Sequence, residues 1–456
     1  MPVPDVEKLL GIDACATTTK GVSGVIKGAV DDFVVEEVLV DGSKASIQGQ
    51  VGPKVLGSTK KPQRHLLCLL VKRNWDTFIA IKNVAKALGI DQTRVQFGGI
   101  KDAKAVTAQH ITIENISAED IGKVNIKDIQ VYPIGYIREK LSLFYLLGNN
   151  FTITIKSINL PELAIRDKVV ETIQQIDKFG GIPNFFGHQR FGTTRPITHL
   201  VGKALVRGSF EEAAMLFLAN PSVYEHPASR MARQELKEIC DFRRALENFP
   251  RQLRFERLML HHLVEHTDDF VGAFKRLPMK LQALFVQAHQ SYLFNRFLSE
   301  RIKYGLPFNE AVVGDFVVGV ERSGLPMTSM AKMVTDENLL EINMQVKAGK
   351  MRVAAPIVGV KQKLSVGIMG QIEAEVLKQE EISMERLRVN EISTIGGKGG
   401  LRTVATPIRD FKLQNVSEDT DGSCRAVLSF MLLRGSYATV ALREIMKPQN
   451  PVDAGF

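Results

Sequence analysis

A single carboxylate, Asp102, stands in the segment GGIKDAKAVTAQ between Gly98 and Gln109, with Lys101 beside it. The glycines release the backbone, and a strand-like pattern resumes from Ala105 to Ile113. Such a loop can hold one reactive carboxylate, although read alone it is also an ordinary turn before a strand. Two other spacings are less promising. His262, Glu265 and His266 form H-x-x-E-H, which on a helix gathers two imidazoles and a carboxylate near one metal. No third ligand accompanies them, and Leu258, Leu263 and Val264 occupy the opposite side, so a polar helix face is the better reading. GGKGGLRT, from Gly396 to Thr403, lacks the spacing of a phosphate loop and no helix start follows it. It reads as a hinge or an RNA-backbone contact.

Basic and aromatic residues are interleaved in NFFGHQRFG, from Asn184 to Gly192, where Phe185, Phe186 and Phe191 neighbour Gln189 and Arg190. Clustered phenylalanines usually form a packed corner; beside arginine they also suit stacked RNA bases. Arg243, Arg244, Arg251, Arg254 and Arg257 make a second basic run, either a solvated helix face or a phosphate contact. The formal net charge is +9, which favours a polyanionic partner without specifying one. Four scattered cysteines form no C-x-x-C pair, so a reducing compartment is expected. The N-terminal MPVPDVEKLLGID has neither the basic region nor the apolar run of a signal peptide, and Leu66 to Val71 is too short to span a bilayer. A cytoplasmic protein with no membrane association is expected. No strong self-association signal stands out, so a monomer is expected.

The elements that must position these residues follow from periodicity. HLLCLLVK, from His65 to Lys72, is an apolar run of strand length, suited to burial on both faces. Ile81, Val84, Ala85 and Leu88 form a helical stripe with Asp76 as N-cap and Gly89 as stop. Strands are expected at Val95 to Gly98, Ala108 to Ile113, Ile129 to Ile137 and around Phe151. A helix through Ile165, Val169, Ile173 and Ile176 ends at Gly180-Gly181. Residues 199–303 are nearly all helical by pattern, and short β-like pieces return from Val312 to Val376. RAVLSFMLL and SYATVALREI read as two closing strands. The fold class expected is α+β, with a mixed or antiparallel sheet in residues 1–182 and 396–456. A largely helical α/β domain, residues 183–395, interrupts it.

Several of these segments together resemble the TruD family of RNA pseudouridine synthases. GGIKDAKAVTAQ looks like its G-x-K-D-x-x-A-x-T-x-Q segment, DDFVVEE (Asp31 to Glu37) like its first motif, and LLGNNF (Leu146 to Phe151) like its G-N-x-F segment. NFFGHQRFG, VQAHQSYLFNRFL (Val286 to Leu298) and FMLLRGSYATVALRE are similar to three further motifs, in the family's order. Ser142 departs from the pattern where a basic residue is expected, as does His188 where an acidic one is frequent. The resemblance implies isomerisation of uridine to pseudouridine, usually at position 13 of transfer RNA, without cofactor or metal. It implies Asp102 as the catalytic aspartate, and Asn149, Phe151, Phe33 and Phe430 at the uridine pocket. Lys101, Gln189 and Arg190 are taken as further substrate contacts; for Lys101, a phosphate contact, a solvated charge and an ion pair all remain open. Other structured RNAs are conceivable substrates. The alternative function is a non-catalytic RNA-binding or RNA-chaperone protein on the same scaffold.

Overall fold

The computed structural model describes residues 3–50, 52, 55–389, 391–392 and 397–456. A short helix, α1 (Asp5–Leu9), precedes six strands: β1 (Phe33–Leu39), β2 (His65–Arg73), β3 (Val95–Phe97), β4 (Val106–Glu114), β5 (Ile129–Ile137) and β6 (Leu146–Ile158). The apolar run in β2 is buried from His65 through Lys72, as its composition dictates. Between β2 and β3 lies α2 (Thr77–Ala87), capped by the Asp76 carboxylate, which accepts from the Phe78 and Ile79 amides at 2.8 and 3.1 Å. This is the cap that the sequence pattern predicts. After β6 comes α3 (Glu162–Phe179), closed by Gly180 in the left-handed region at φ 95°.

The chain then crosses through β7 (Ile182–Pro183) into seven helices: α4 (Thr198–Arg207), α5 (Phe210–Ala219), α6 (Pro227–Ile239), α7 (Phe242–Asn248), α8 (Arg254–Glu265), α9 (Phe270–Lys275) and α10 (Met279–Lys303). A four-stranded antiparallel sheet follows, from β8 (Phe316–Val320), β9 (Pro326–Met333), β10 (Met351–Ile357) and β11 (Gly400–Thr403), with α11 (Leu339–Lys347) and α12 (Gly367–Gln379). The return runs through β12 (Ala405–Thr406), which pairs with β7, so both crossings share one two-stranded ladder. Then β13 (Arg409–Glu418), β14 (Cys424–Leu433) and α13 (Ala438–Met446) complete the chain.

Strands from both ends of the sequence build one sheet in the order β13-β14-β6-β1-β4-β2-β5, with β3 paired to β4. Among the described residues, β1 with β4 is its only parallel pairing. The boundary expected at 395/396 falls on residues outside the described ones. The nearest described strand, β11, still pairs with β10 of the small sheet, and the large sheet resumes only at Arg409.

One closing element differs from the sequence reading. SYATVALREI is not a strand; Ala438–Met446 is helix, with all nine residues buried. Read at helical spacing, Ala438, Ala441, Leu442 and Ile445 share one face and Thr439, Arg443 and Glu444 lie off it, and Ala, Leu, Arg, Glu and Met favour the helix. The second strand of the pair is instead Arg409–Glu418, whose alternating, mostly polar pattern marks an edge. Among the described residues no helix is long and apolar enough to cross a membrane.

Candidate active site

Asp102 lies on the loop between β3 and β4, and side chains from three elements hold that loop. Thr77, at the start of α2, donates to the Lys101 carbonyl at 3.2 Å and accepts from the Lys101 amide at 3.1 Å. Gln109, on β4, donates to the Gly99 carbonyl at 3.2 Å. Lys72, at the end of β2, donates to the carbonyls of Asp102 and Trp75 at 2.8 and 2.7 Å. Burial pushes the Lys72 pKa down to about 8. The loop backbone is thus pinned, while the Asp102 side chain remains 34% exposed.

The ionic partner of Asp102 is Lys27, whose Nζ stands 3.2 Å from Oδ1 and lies 4.4 Å over the Phe33 ring. Lys27 holds φ at 58°, a left-handed conformation that a side-chain-bearing residue rarely keeps without support from its surroundings. That support is visible next door: Ile26 donates its amide to the Ala454 carbonyl at 2.9 Å. Sequence reasoning missed Lys27; a lysine between apolar Ile26 and Gly28, just ahead of DDFVVEE, was the available signal.

Lys101 takes another partner. Its Nζ is 2.9 Å from Glu37 Oε1, and both side chains are buried. Glu37 also accepts from the His110 amide at 2.8 Å and faces its ring nitrogen at 3.1 Å. Burial acts to raise the Glu37 pKa, but the Lys101 charge and the His110 bond outweigh it, and the net shift is downward. Of the three roles left open for Lys101 the ion pair is the one observed, joining the loop to β1. Gly98 and Gly99 have no positive φ, and a Cβ at either would meet Leu146. They pack the loop against β6 and give no sign of admitting a ligand.

Asp102 opens into a cavity of about 420 Å³, lined by Phe33, Val35, Asp76, Ile100, Lys101, Ala103, Asn149, Phe151, Gln189 and Ser436 to Thr439. Its size falls in the ~300–1,000 Å³ range of small-molecule sites. Phe33 and Phe151 meet edge to face, with centroids 6.1 Å apart and planes at 68°. Phe430, the cross-strand partner of Phe151, packs against it at 5.6 Å and is backed in turn by Phe411 at 6.3 Å. Phe430 thus flanks Phe151 on the same face of the sheet, one strand outside the cavity lining. Asn149 leaves its Oδ1 buried with no partner, an acceptor without a donor beside the carboxylate loop. Gln189 reaches the site through Oε1, which accepts from Thr439 at 3.3 Å. Arg190 turns to α10, donating to Ser291 at 3.0 Å and lying over Phe186 at 5.8 Å.

The aromatic segment forms the packed corner read from its composition. Phe185 and Phe191 are fully buried, whereas Phe186 carries the Arg402 guanidinium 4.1 Å above its ring. Arg402 comes from GGKGGLRT and donates to Asn184 O at 2.9 Å and to Gly435 O at 2.8 Å. It ties the Asn184 segment to Gly435, next to the cavity wall at Ser436 to Thr439, and burial lowers its pKa to about 10. His188 is buried, and burial drops its pKa to about 4, so it is neutral at physiological pH. Elsewhere, His262 bonds Asp269 at 2.8 Å. Arg257 donates to the Leu246 and Phe249 carbonyls, which removes it from the candidate phosphate contacts.

Replacing Lys27 by Met should lower turnover by about 10- to 100-fold, the range of a lost charge-assisted contact of ~1.5–3 kcal/mol. Substrate binding should change much less. Measuring kcat and RNA affinity separately checks this, and an unaltered kcat would remove Lys27 from the machinery.

Residues 9–445 match the family model described as tRNA pseudouridine synthase D (TruD). A relative from Methanosarcina acetivorans, named "Probable tRNA pseudouridine synthase D", is 38% identical over 447 residues, 98% of each chain. One of the same name from Pyrococcus abyssi is 36% identical over 429 residues, covering 94% of this chain and 97% of its own. A crystal structure from Methanosarcina mazei bearing the TruD name superimposes with a TM-score of 0.84 at 37% identity, covering 99% of this chain and all of that one. With the family model spanning nearly its whole length and relatives matched end to end, the chain belongs to the TruD family.

Proposed function

We propose that the protein converts uridine to pseudouridine in transfer RNA, with uridine 13 as its target, and that Asp102 carries the glycosidic exchange. The observation that supports this most directly is the joining of three features in one cavity: a part-exposed carboxylate paired with Lys27, an aromatic wall, and an unpartnered amide oxygen. The reaction breaks the C1′–N1 bond, forms C1′–C5, moves a proton off C5 and returns one to N1. Asp102 serves it by attacking C1′ as a nucleophile or by taking a sugar proton. In either case the detached uracil must stay bound while it turns. Asn149 Oδ1 accepts from the ring N3–H, and the Phe151 face holds the base. The target nucleotide leaves its stack to enter the cavity. The reaction belongs in the cytoplasm, where the four free cysteines stay reduced.

The test is pseudouridine formation by the purified protein on tRNA transcripts with and without uridine at position 13. Modification that survives removal of that uridine would reassign the target. A wild-type protein that binds the transcripts but modifies none would support a non-catalytic RNA-binding role. Phe151→Ala should lose turnover by about 10- to 100-fold, from ~1–3 kcal/mol of stacking. RNA affinity should be largely kept, because phosphate contacts dominate it. Equal loss of both would mark Phe151 as a purely structural residue.

A further inference from the structure

Joining C5 to the sugar does not finish the isomerisation. Once C1′–C5 has formed, C5 still carries its hydrogen, and the ring is restored only when that proton leaves. The Asp102 carboxylate is paired with Lys27 and engaged at the sugar, by attack on C1′ or by removal of a sugar proton. A separate acceptor on the cavity wall would leave it there throughout.

A second carboxylate is held beside the first. The start of α2 is clasped to the Asp102 loop on either side of Asp76. The Thr77 side chain bonds the Lys101 carbonyl and amide at 3.2 and 3.1 Å. Lys72 Nζ, fully buried, donates to the carbonyls of both Trp75 and Asp102 at 2.7 and 2.8 Å. Residues 75 and 77 are thus tied to residues 102 and 101, with Asp76 between the two clasps. Asp76 and Asp102 line the same cavity of about 420 Å³.

The Asp76 carboxylate is oriented through one oxygen only. Oδ1 accepts from the Phe78 and Ile79 amides at 2.8 and 3.1 Å, which fixes the side chain at the head of α2. Oδ2 has no hydrogen bond among the described residues. Capping the helix therefore accounts for half of the group. The other ionisable side chains on the cavity wall are Lys101, Asp102 and Tyr437. Lys101 is bound to buried Glu37, and Asp102 to Lys27. Tyr437 brings a hydroxyl, which carries its own proton. A half-buried carboxylate with one oxygen anchored and the other free is a positioned proton acceptor.

We propose that Asp76 is a second catalytic residue, whose Oδ2 takes the proton from C5 after the base has turned and rejoined the sugar. The electron pair of the C5–H bond forms C5=C6, and the C6=N1 pair withdraws to N1. Asp76 then passes the proton to N1, directly or through water, so the carboxylate is regenerated and uridine and pseudouridine remain isomers. This inference rests on the function proposed above.

The test is Asp76→Asn, because asparagine caps a helix as well as aspartate does but offers no basic oxygen. Its thermal midpoint and tRNA Kd should match wild type. Its kcat should fall about 10²- to 10⁴-fold, the contribution of one general base. On transcripts carrying deuterium at C5 of the target uridine, the variant should show a primary isotope effect, because C5 deprotonation has become its slowest step. Wild-type turnover in Asp76→Asn, or slowed turnover without an isotope effect, would overturn the role while leaving the proposed function intact. An isotope effect that appears in Tyr437→Phe but not in Asp76→Asn would move the role to Tyr437 and overturn the inference equally. If wild type forms no pseudouridine on any transcript, the proposed function fails and this inference falls with it.

Discussion

Asp102→Asn should reduce pseudouridine formation by at least about 10³-fold in single-turnover assays, the scale of removing a nucleophile or proton-transfer group. The substitution is nearly isosteric and leaves the supports of the loop in place. Lys72 bonds the Asp102 carbonyl, Thr77 bonds the Lys101 backbone, and the Lys101–Glu37 pair lies one residue away. Folding and RNA binding should therefore survive, since phosphate contacts supply most of the affinity and Asp102 supplies none. The variant should show a wild-type thermal midpoint and a tRNA Kd within about threefold of wild type. Turnover within about tenfold of wild type would sink the catalytic assignment, because one amide cannot replace a carboxylate as nucleophile or base.

The second large effect is on stability. Arg443 is buried on α13, with Nε 2.8 Å from Glu7 on α1 and Nη1 3.0 Å from Glu444. Glu444 in turn accepts from the Thr17 hydroxyl at 2.8 Å and the Thr17 amide at 3.1 Å. This network ties the N-terminal segment to the helix that begins at the cavity wall. Arg443→Met should cost about 3–5 kcal/mol, because it leaves Glu7 and Glu444 buried without their cation. Neutralising Glu7 as well, in Glu7→Gln/Arg443→Met, should recover part of that loss. Denaturant unfolding of the three proteins measures both numbers. A loss below about 1 kcal/mol for Arg443→Met would show that water or a neighbouring group compensates the carboxylates. Activity should fall along with stability, because Tyr437, Ala438 and Thr439 lose the anchor of their helix.

Local reading of the Asp102 loop goes no further than a turn before a strand, and it is the resemblance of ordered motifs that singles out Asp102, Phe33, Asn149 and Phe151, all of which line one cavity. The apolar run of β2 and the Asp76 cap of α2 required nothing beyond nearest neighbours. The helical middle and the return to strands were likewise visible as a change of period.

Contacts between residues distant in sequence were decided only by the tertiary structure. Lys27 and Asp102 are separated by 75 positions, and no local rule pairs them. For Lys101 the sequence left a phosphate contact, a solvated charge and an ion pair open, and the buried carboxylate of Glu37, 64 positions earlier, captures it. Phe430 was expected at the pocket and stands beside Phe151 on the same face, one strand farther from the Asp102 loop, because β14 pairs with β6 on the side away from β1. The closing segment is a helix whose stripe of Ala438, Ala441, Leu442 and Ile445 was present in the sequence but masked by the β-favouring Tyr437, Thr439 and Val440 at its start. Sequence determined which residues could do chemistry and the elements that carry them. The packing of distant segments determined their partners, since ion pairs and ring contacts form between surfaces that meet only after the chain has folded.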